Sequence, residues 1–145
     1  MAGADLDDRD EGEVLAARVW RALYDFCRTE YGRHLDSGRE LGLTPGDLKA
    51  LMLLEPGQPQ AMRALADRWS SDASTVTWLI GRLEEHGLAE RRAHATDRRV
   101  RVVVLTEQGE QVRRTLLDQL YRPPAAFAKL SRSELRALSK LVLGD

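Results

Sequence analysis

"DRRVRVVVLTEQG", residues 97–109, sets two adjacent arginines at the entrance of a run that turns abruptly apolar. The run stops at a threonine, with acidic, polar and glycine residues behind it. Period-two alternation predicts a strand, with Val100, Val102 and Val104 on one face and Arg99 and Arg101 on the other. Upstream, "LAERRA" (88–93) reads as a second strand joined to the first by "HATD" (94–97). Together they form a β-hairpin whose tip carries Arg98 and Arg99, cations placed to meet something negatively charged. Thr106 ends the strand and can cap a helix running to about Tyr121, where "RPP" (122–124) breaks it.

Ahead of the hairpin the apolar period is 3.6. From about Glu11 to Leu35, residues Trp20, Leu23, Tyr24, Cys27 and Tyr31 form a broad stripe on a helix nearly 40 Å long, at about 1.5 Å per residue. That is more than a compact monomer needs, and it hints at a partner for the exposed end. "TPGD" (44–47) starts a short apolar helix. Thr44 is its cap, Pro45 its first residue, and Asp47 returns a bond. "EPGQP" (55–59) stops that helix. "QAMRALADRW" (60–69) predicts another, with Met62, Leu65, Ala66 and Trp69 on one face. "SSD" (70–72) then interrupts and offers caps. The next helix, about Ala73 to His86, turns Val76, Leu79, Ile80 and Leu83 inward and stops at Gly87. That leaves Ser74, Thr75, Thr77, Trp78 and Arg82 on its outward side. Near the C-terminus, "SRSE" (131–134) is a capping box opening "LRALSKLVL".

The chain's 145 residues suffice for one domain with a real core, burying roughly two-thirds of its unfolded surface. No apolar run reaches the roughly 18 residues that cross a bilayer, and "MAGADLDDRDEGE" is too acidic for a signal peptide. A single cysteine, Cys27, forbids an internal disulfide, and a cytoplasmic protein with no membrane association is expected. Net charge is only −1, but it is unevenly spread. Residues 1–13 hold six acids against Arg9, while residues 88–101 hold five arginines against Glu90 and Asp97. Such clustering speaks of partners rather than of fold.

The order helix, helix, turn, helix, hairpin is that of a winged helix-turn-helix. "MRALADRWSSDASTVTWLIGRLEEHGLAERR" (62–92) followed by "DRRVRVVVLTEQG" closely resembles the MarR family of bacterial transcriptional regulators. "S-T-V-T" (74–77), "R-L-E-x-x-G-L" (82–88) and "D-R-R-x-x-x-V-x-L-T-x-x-G" (97–109) carry the likeness through their order and spacing. The resemblance implies a mainly α fold with a small β-hairpin wing. An acidic tail (1–10) precedes a helical dimerisation region (11–43 and 110–145) that flanks a winged-helix DNA-binding region (44–109). It further implies a homodimeric repressor reading a roughly palindromic operator in double-stranded DNA.

In such a reader the 73–86 helix enters the major groove and the wing tip the minor groove, where arginine is favoured. The expected contacts are Ser74, Thr75, Thr77, Trp78, Arg82, Asp97, Arg98 and Arg99. Serine and threonine at a helix start read alone as caps; beside the wing they read as contacts. Asp97 and Arg99 match the family's D-x-R pair, and Asp97 is expected to brace the turn by an Asx-type bond or by holding an arginine. Arg91, Arg92 and Arg101 are phosphate contacts or ordinary surface.

Two residues depart from the family pattern. Trp78 replaces a polar or basic residue, and stands out toward DNA or folds back on Trp69. Gly81 sits in mid-helix at a cost of about 1 kcal/mol relative to alanine.

Leu15, Val19, Leu23, Leu116, Leu117, Leu120, Leu135, Leu138, Leu141 and Val142 find no place in a small winged core, and intertwined terminal helices of two chains would cover them. Many family members release DNA when a small aromatic effector binds. Trp20, Tyr24, Tyr31 and Trp69 are candidate pocket residues for one, or else plain core. Cys27, on the apolar stripe, is expected to be buried and inert rather than a redox sensor. His34, His86 and His94 are too scattered for a metal site, and no cofactor is expected. An enzyme is disfavoured by the lack of a phosphate loop, an activated nucleophile or a metal triad. A winged helix that binds protein instead of DNA is the alternative.

Overall fold

The computed structural model of the protein describes residues 4–97 and 99–144. Helix α1 (Ala4–Glu40) is followed by α2 (Pro45–Leu53), a two-residue strand β1 (Gln60–Ala61), α3 (Met62–Trp69) and α4 (Ala73–Glu85). Strands β2 (Ala89–Ala93) and β3 (Arg101–Leu105) make the wing. After them come α5 (Glu107–Leu120), a 3-10 turn (Phe127–Lys129) and α6 (Arg132–Leu143).

The caps form where local chemistry dictates. Thr44 and Asp47 close a reciprocal box at α2, and Ser131 and Glu134 close another at α6. Thr106 caps α5 by accepting from the Gly109 N–H. The Thr106 hydroxyl also donates to the Gly87 carbonyl at 2.6 Å, fastening α5 to the end of α4. A Cβ on Gly109 would collide with the Leu88 carbonyl, so this glycine permits backbone to meet backbone.

The core lies where α2, α3, α4 and α5 meet the sheet. Val76, Leu79, Ile80 and Leu83 of α4 all turn into it, with Leu51, Leu65 and Trp69 opposite. The sheet has three strands in the order β1-β3-β2, all antiparallel, with Gln60 opposite Val103 and Ala61 opposite Val102. The hairpin expected from sequence therefore gains a third strand. Side chains of β3 still alternate, with Val103 and Leu105 in the main core and Val102 and Val104 on the other face, but both faces are covered. As the central strand β3 buries Val102, Val103, Val104 and Leu105 together, while Val100, beyond its end, stays 38% exposed.

The arms differ more from expectation. Helix α1 begins at Ala4 rather than near Glu11, which takes the acidic stretch into the helix, and its 37 residues span about 55 Å. Among the described residues its C-terminal half packs on the body, through Leu35, His34 and Gly38, with Phe26 reaching Phe127 at 6.2 Å between ring centroids. The Trp20, Leu23, Tyr24, Cys27, Tyr31 stripe is exposed in the single chain. Cys27 is thus not buried as expected: it is exposed, at the rim of the cavity between α1 and the segment after α5. Leu116 departs in the opposite sense. It lies in the winged-helix core at 1% exposure, because α5 crosses that core before leaving it. Among the described residues, no helix is long and apolar enough to cross a membrane.

Candidate nucleic-acid interface

Helix α4 follows a turn in which Ser70 takes a left-handed conformation at φ 49°, letting α3 reverse into α4 within three residues. Asp72 caps α4 by accepting from the Thr75 N–H at 2.8 Å. The same carboxylate accepts the hydroxyls of both Thr75 (2.8 Å) and Ser74. These bonds, the Ser74 hydroxyl's first among them, hold the Asp72 carboxyl well below the usual carboxylate range. Ser74, Thr75 and Thr77 are exposed as expected, but the first two turn their hydroxyl protons onto their own cap. Their outward surface is a hydroxyl lone pair and, for Thr75, a methyl group. The helix N-terminus is already answered by a carboxylate, which weakens it as a phosphate site.

Trp78 stands out at 58% exposure and does not fold back on Trp69, which is 6% exposed in the core. Arg82 departs from expectation. Instead of pointing outward, its Nε and Nη2 donate to the Oδ1 and Oδ2 of Asp47 at 2.8 and 2.9 Å. Asp47 is fully buried in α2, so an outward-pointing Arg82 would leave a charge stranded in the core. Burial alone would raise the Asp47 pKa. The Arg82 bonds and those from the Thr44 N–H and hydroxyl outweigh it, and the carboxyl titrates below its ordinary range. The stability this pair contributes is therefore present above the ordinary carboxylate pKa and lost as pH falls through the lowered one. The other partner responds in kind: the bonds that Arg82 donates to Asp47 raise the Arg82 pKa. The guanidinium also lies over the Trp78 ring, 5.4 Å from its centroid.

The wing is tied to α4. Arg91 of β2 donates to Glu84 Oε2 at 2.6 Å and to the Thr77 carbonyl at 2.9 Å, while Glu84 accepts from the Arg91 N–H at 3.0 Å. Arg91 is thus a brace between strand and helix, and Arg92 pairs with Glu90. At the tip, Asp97 Oδ1 accepts from the Arg99 N–H at 3.0 Å, the Asx-type bond of the two expected alternatives. The Val100 N–H donates to the Asp97 carbonyl at 3.0 Å and the His94 N–H to the Val100 carbonyl at 2.9 Å, which closes the turn. Arg99 is exposed and, among the described residues, its side chain takes no carboxylate. Arg98 lies outside the described residues.

The candidate effector residues are not brought together. Trp69 is in the core, and Trp20 and Tyr24 are exposed on α1 at 66% and 61%. Tyr31 alone of the four lines a cavity of about 570 Å³ between α1 and the segment after α5. In that cavity His34 is buried with no partner on Nδ1. Among the described residues, no group of three or more histidine, cysteine or acidic side chains is placed to hold a metal. Asp47, expected only as a capping residue, and Arg91, expected as a phosphate contact or ordinary surface, also brace the site. Their partners lie 35 and 14 residues away along the chain, beyond the reach of any local pattern.

A three-helix core with its second helix-turn-helix element turned outward, braced to a β wing, defines a winged helix-turn-helix protein. The MarR family profile matches residues 41–100. The chain is 30% identical over 134 residues to YkoM of Bacillus subtilis, named an uncharacterized HTH-type transcriptional regulator, covering 89% of this chain and 84% of that one. It is 27% identical over 96 residues to the HTH-type transcriptional regulator MhqR of the same organism, covering 66% of this chain and 61% of MhqR. Among solved structures, YusO of Bacillus subtilis superposes with a TM-score of 0.76 at 24% identity, covering 91% and 94% of the two chains. A complex of S. aureus MepR with DNA superposes at 0.63 and 16% identity, covering 88% and 98%. The chain belongs to the MarR family, whose matching relatives are named as transcriptional regulators and not as enzymes.

Proposed function

We propose that the protein is a cytoplasmic, homodimeric repressor that binds a roughly palindromic site in double-stranded DNA and responds to a small aromatic effector. In this reading residues 44–109 are the DNA-binding region, and 11–43 with 110–145 the dimerisation region. Ser74, Thr75, Thr77 and Trp78 face the major groove, while Asp97, Arg98 and Arg99 form the tip that enters the minor groove. The observation that carries the reading is the Arg91 brace. It ties the strand leading to the tip onto the Thr77 carbonyl, on the exposed half of α4, so helix and wing are held as one surface.

Dimerisation is supported by the apolar side chains that the arms leave in water, Val19 and Trp20 on α1 and Leu138 and Leu141 on α6 among them. An effector is supported by the cavity that Tyr31 and the unpartnered His34 line. The MepR complex shows a protein of this fold on DNA.

Binding to random-sequence duplex at several salt concentrations tests the reading. The logarithm of affinity should fall linearly with the logarithm of salt, with a slope of about −0.9 per phosphate neutralised. A winged helix that serves protein partners would show little duplex binding at any salt, and that result would overturn the proposal.

A further inference from the structure

We propose that Trp78 reads thymine through its 5-methyl group and that Arg82 is the positioning residue that aims it. The inference rests on the DNA-binding reading above and assigns the two residues different tasks within it. Trp78 is the largest side chain that α4 turns outward, and apart from Arg82, whose guanidinium lies over its ring, its neighbours along that face are small. Ser74 lies one turn before it and Gly81 one turn after, and a Cβ built on Gly81 would meet nothing within 4 Å. The indole therefore stands clear of the helix and would be first to reach a groove floor.

A solvent-facing tryptophan would ordinarily sample several rotamers. This one is backed by the Arg82 guanidinium, which is itself immobilised. Two of its nitrogens are spent on Asp47, and Asp47 is buried and held by Thr44. The chain of contacts runs from the core of α2 outward to the indole, as a preorganised reading group requires. The same geometry argues against Arg82 touching DNA. Its charge is matched by Asp47, its forked edge is occupied, and its side chain is only 26% exposed. On the major-groove side, the one apolar feature that a base pair presents is the thymine methyl, and an indole edge complements that rather than the polar edges of guanine or cytosine.

The test uses duplexes that the wild-type protein enriches from a random library, remade with each thymine in turn replaced by deoxyuridine. Wild type should lose about fourfold in affinity at one thymine per half-site, the worth of one buried methyl. Trp78→Ala should bind the thymine and deoxyuridine duplexes alike. Arg82→Gln should erase most of the fourfold ratio while leaving the slope of affinity against salt unchanged. Asp47→Asn, which keeps an acceptor for the Thr44 N–H, should do the same and serves if the glutamine variant does not fold. Indifference of the wild type to every replacement, or undiminished discrimination by Trp78→Ala, overturns the thymine assignment. A slope shallower by about 0.9 per subunit in Arg82→Gln would make Arg82 a phosphate contact and overturn its positioning role. If the library enriches no duplex, the DNA-binding reading fails and this inference fails with it.

Discussion

The winged-helix body and the helical arms treat the same kinds of side chain in opposite ways. In the body, Leu51, Ile80, Leu83 and Val103 have no measurable exposure, while on the arms Trp20, Leu141 and Val142 are 66%, 78% and 74% exposed. Side-chain caps open α2, α4 and α5 of the body and α6 of the arms alike, so capping does not separate the two regions. The body closes on itself because β3, α4 and α5 come back together over α2 and α3. Helix α1 outreaches that body, and among the described residues the end of α6, Leu141 and Val142, is left uncovered. The boundary between the two regions marks where the chain stops being self-sufficient.

The strongest way to break that contrast is Leu138→Asp. Twofold symmetry would insert the carboxylate twice into an apolar interface, at a cost of about 4 kcal/mol or more. Dimer dissociation should then strengthen by about a thousandfold. Sedimentation at micromolar concentration should show monomers, while the cooperative melting of the body persists, since Leu138 takes no part in its core. A variant that remains dimeric removes α6 from the interface.

A second substitution probes the one part that belongs to neither packed region. Arg99 projects from the wing tip, where its backbone N–H is held by Asp97 and its side chain is exposed. Arg99→Ala should leave melting and assembly alone and weaken duplex binding by about 1–3 kcal/mol, in the range of a good groove contact. Measured by titration of a labelled duplex, unchanged affinity would take Arg99 out of the interface.

The split between body and arms also explains what the sequence makes legible. Capping boxes at Thr44–Asp47 and Ser131–Glu134, the Thr106 cap and the inward face of α4 are encoded within four or five residues, and each forms as its local pattern dictates. Strand β1 is two residues long and exists only by pairing with β3, some 40 residues on, so no local period announces it. Period-two alternation separates the faces of β3 but does not say that both are covered, as Val102 and Val104 on one and Val103 and Leu105 on the other are. The outward set on α4 is right as helical geometry, yet Arg82 is drawn inward by Asp47, a partner on another helix. On α1 the aromatic stripe is legible, but its period does not say whether its own chain covers it, and Cys27 and Tyr24 are exposed here.

The smallest expected effect is also the one whose two halves should move in opposite directions. Gly81 lies in the middle of α4 with ordinary helical backbone, and a methyl group there would touch nothing in the free protein. Gly81→Ala should therefore stabilise the body by about 0.5–1 kcal/mol by restricting the unfolded chain and favouring the helix. A rise in melting temperature of about 3 °C would follow. If α4 lies against a groove floor with Trp78 leading, the same methyl holds the helix off the duplex beside the indole, and affinity should fall severalfold although the protein is more stable. Calorimetry and duplex titration on one preparation read both signs. A stabilised variant with undiminished affinity would mean that this turn of α4 does not approach DNA, and that the glycine answers to some contact outside the reading head.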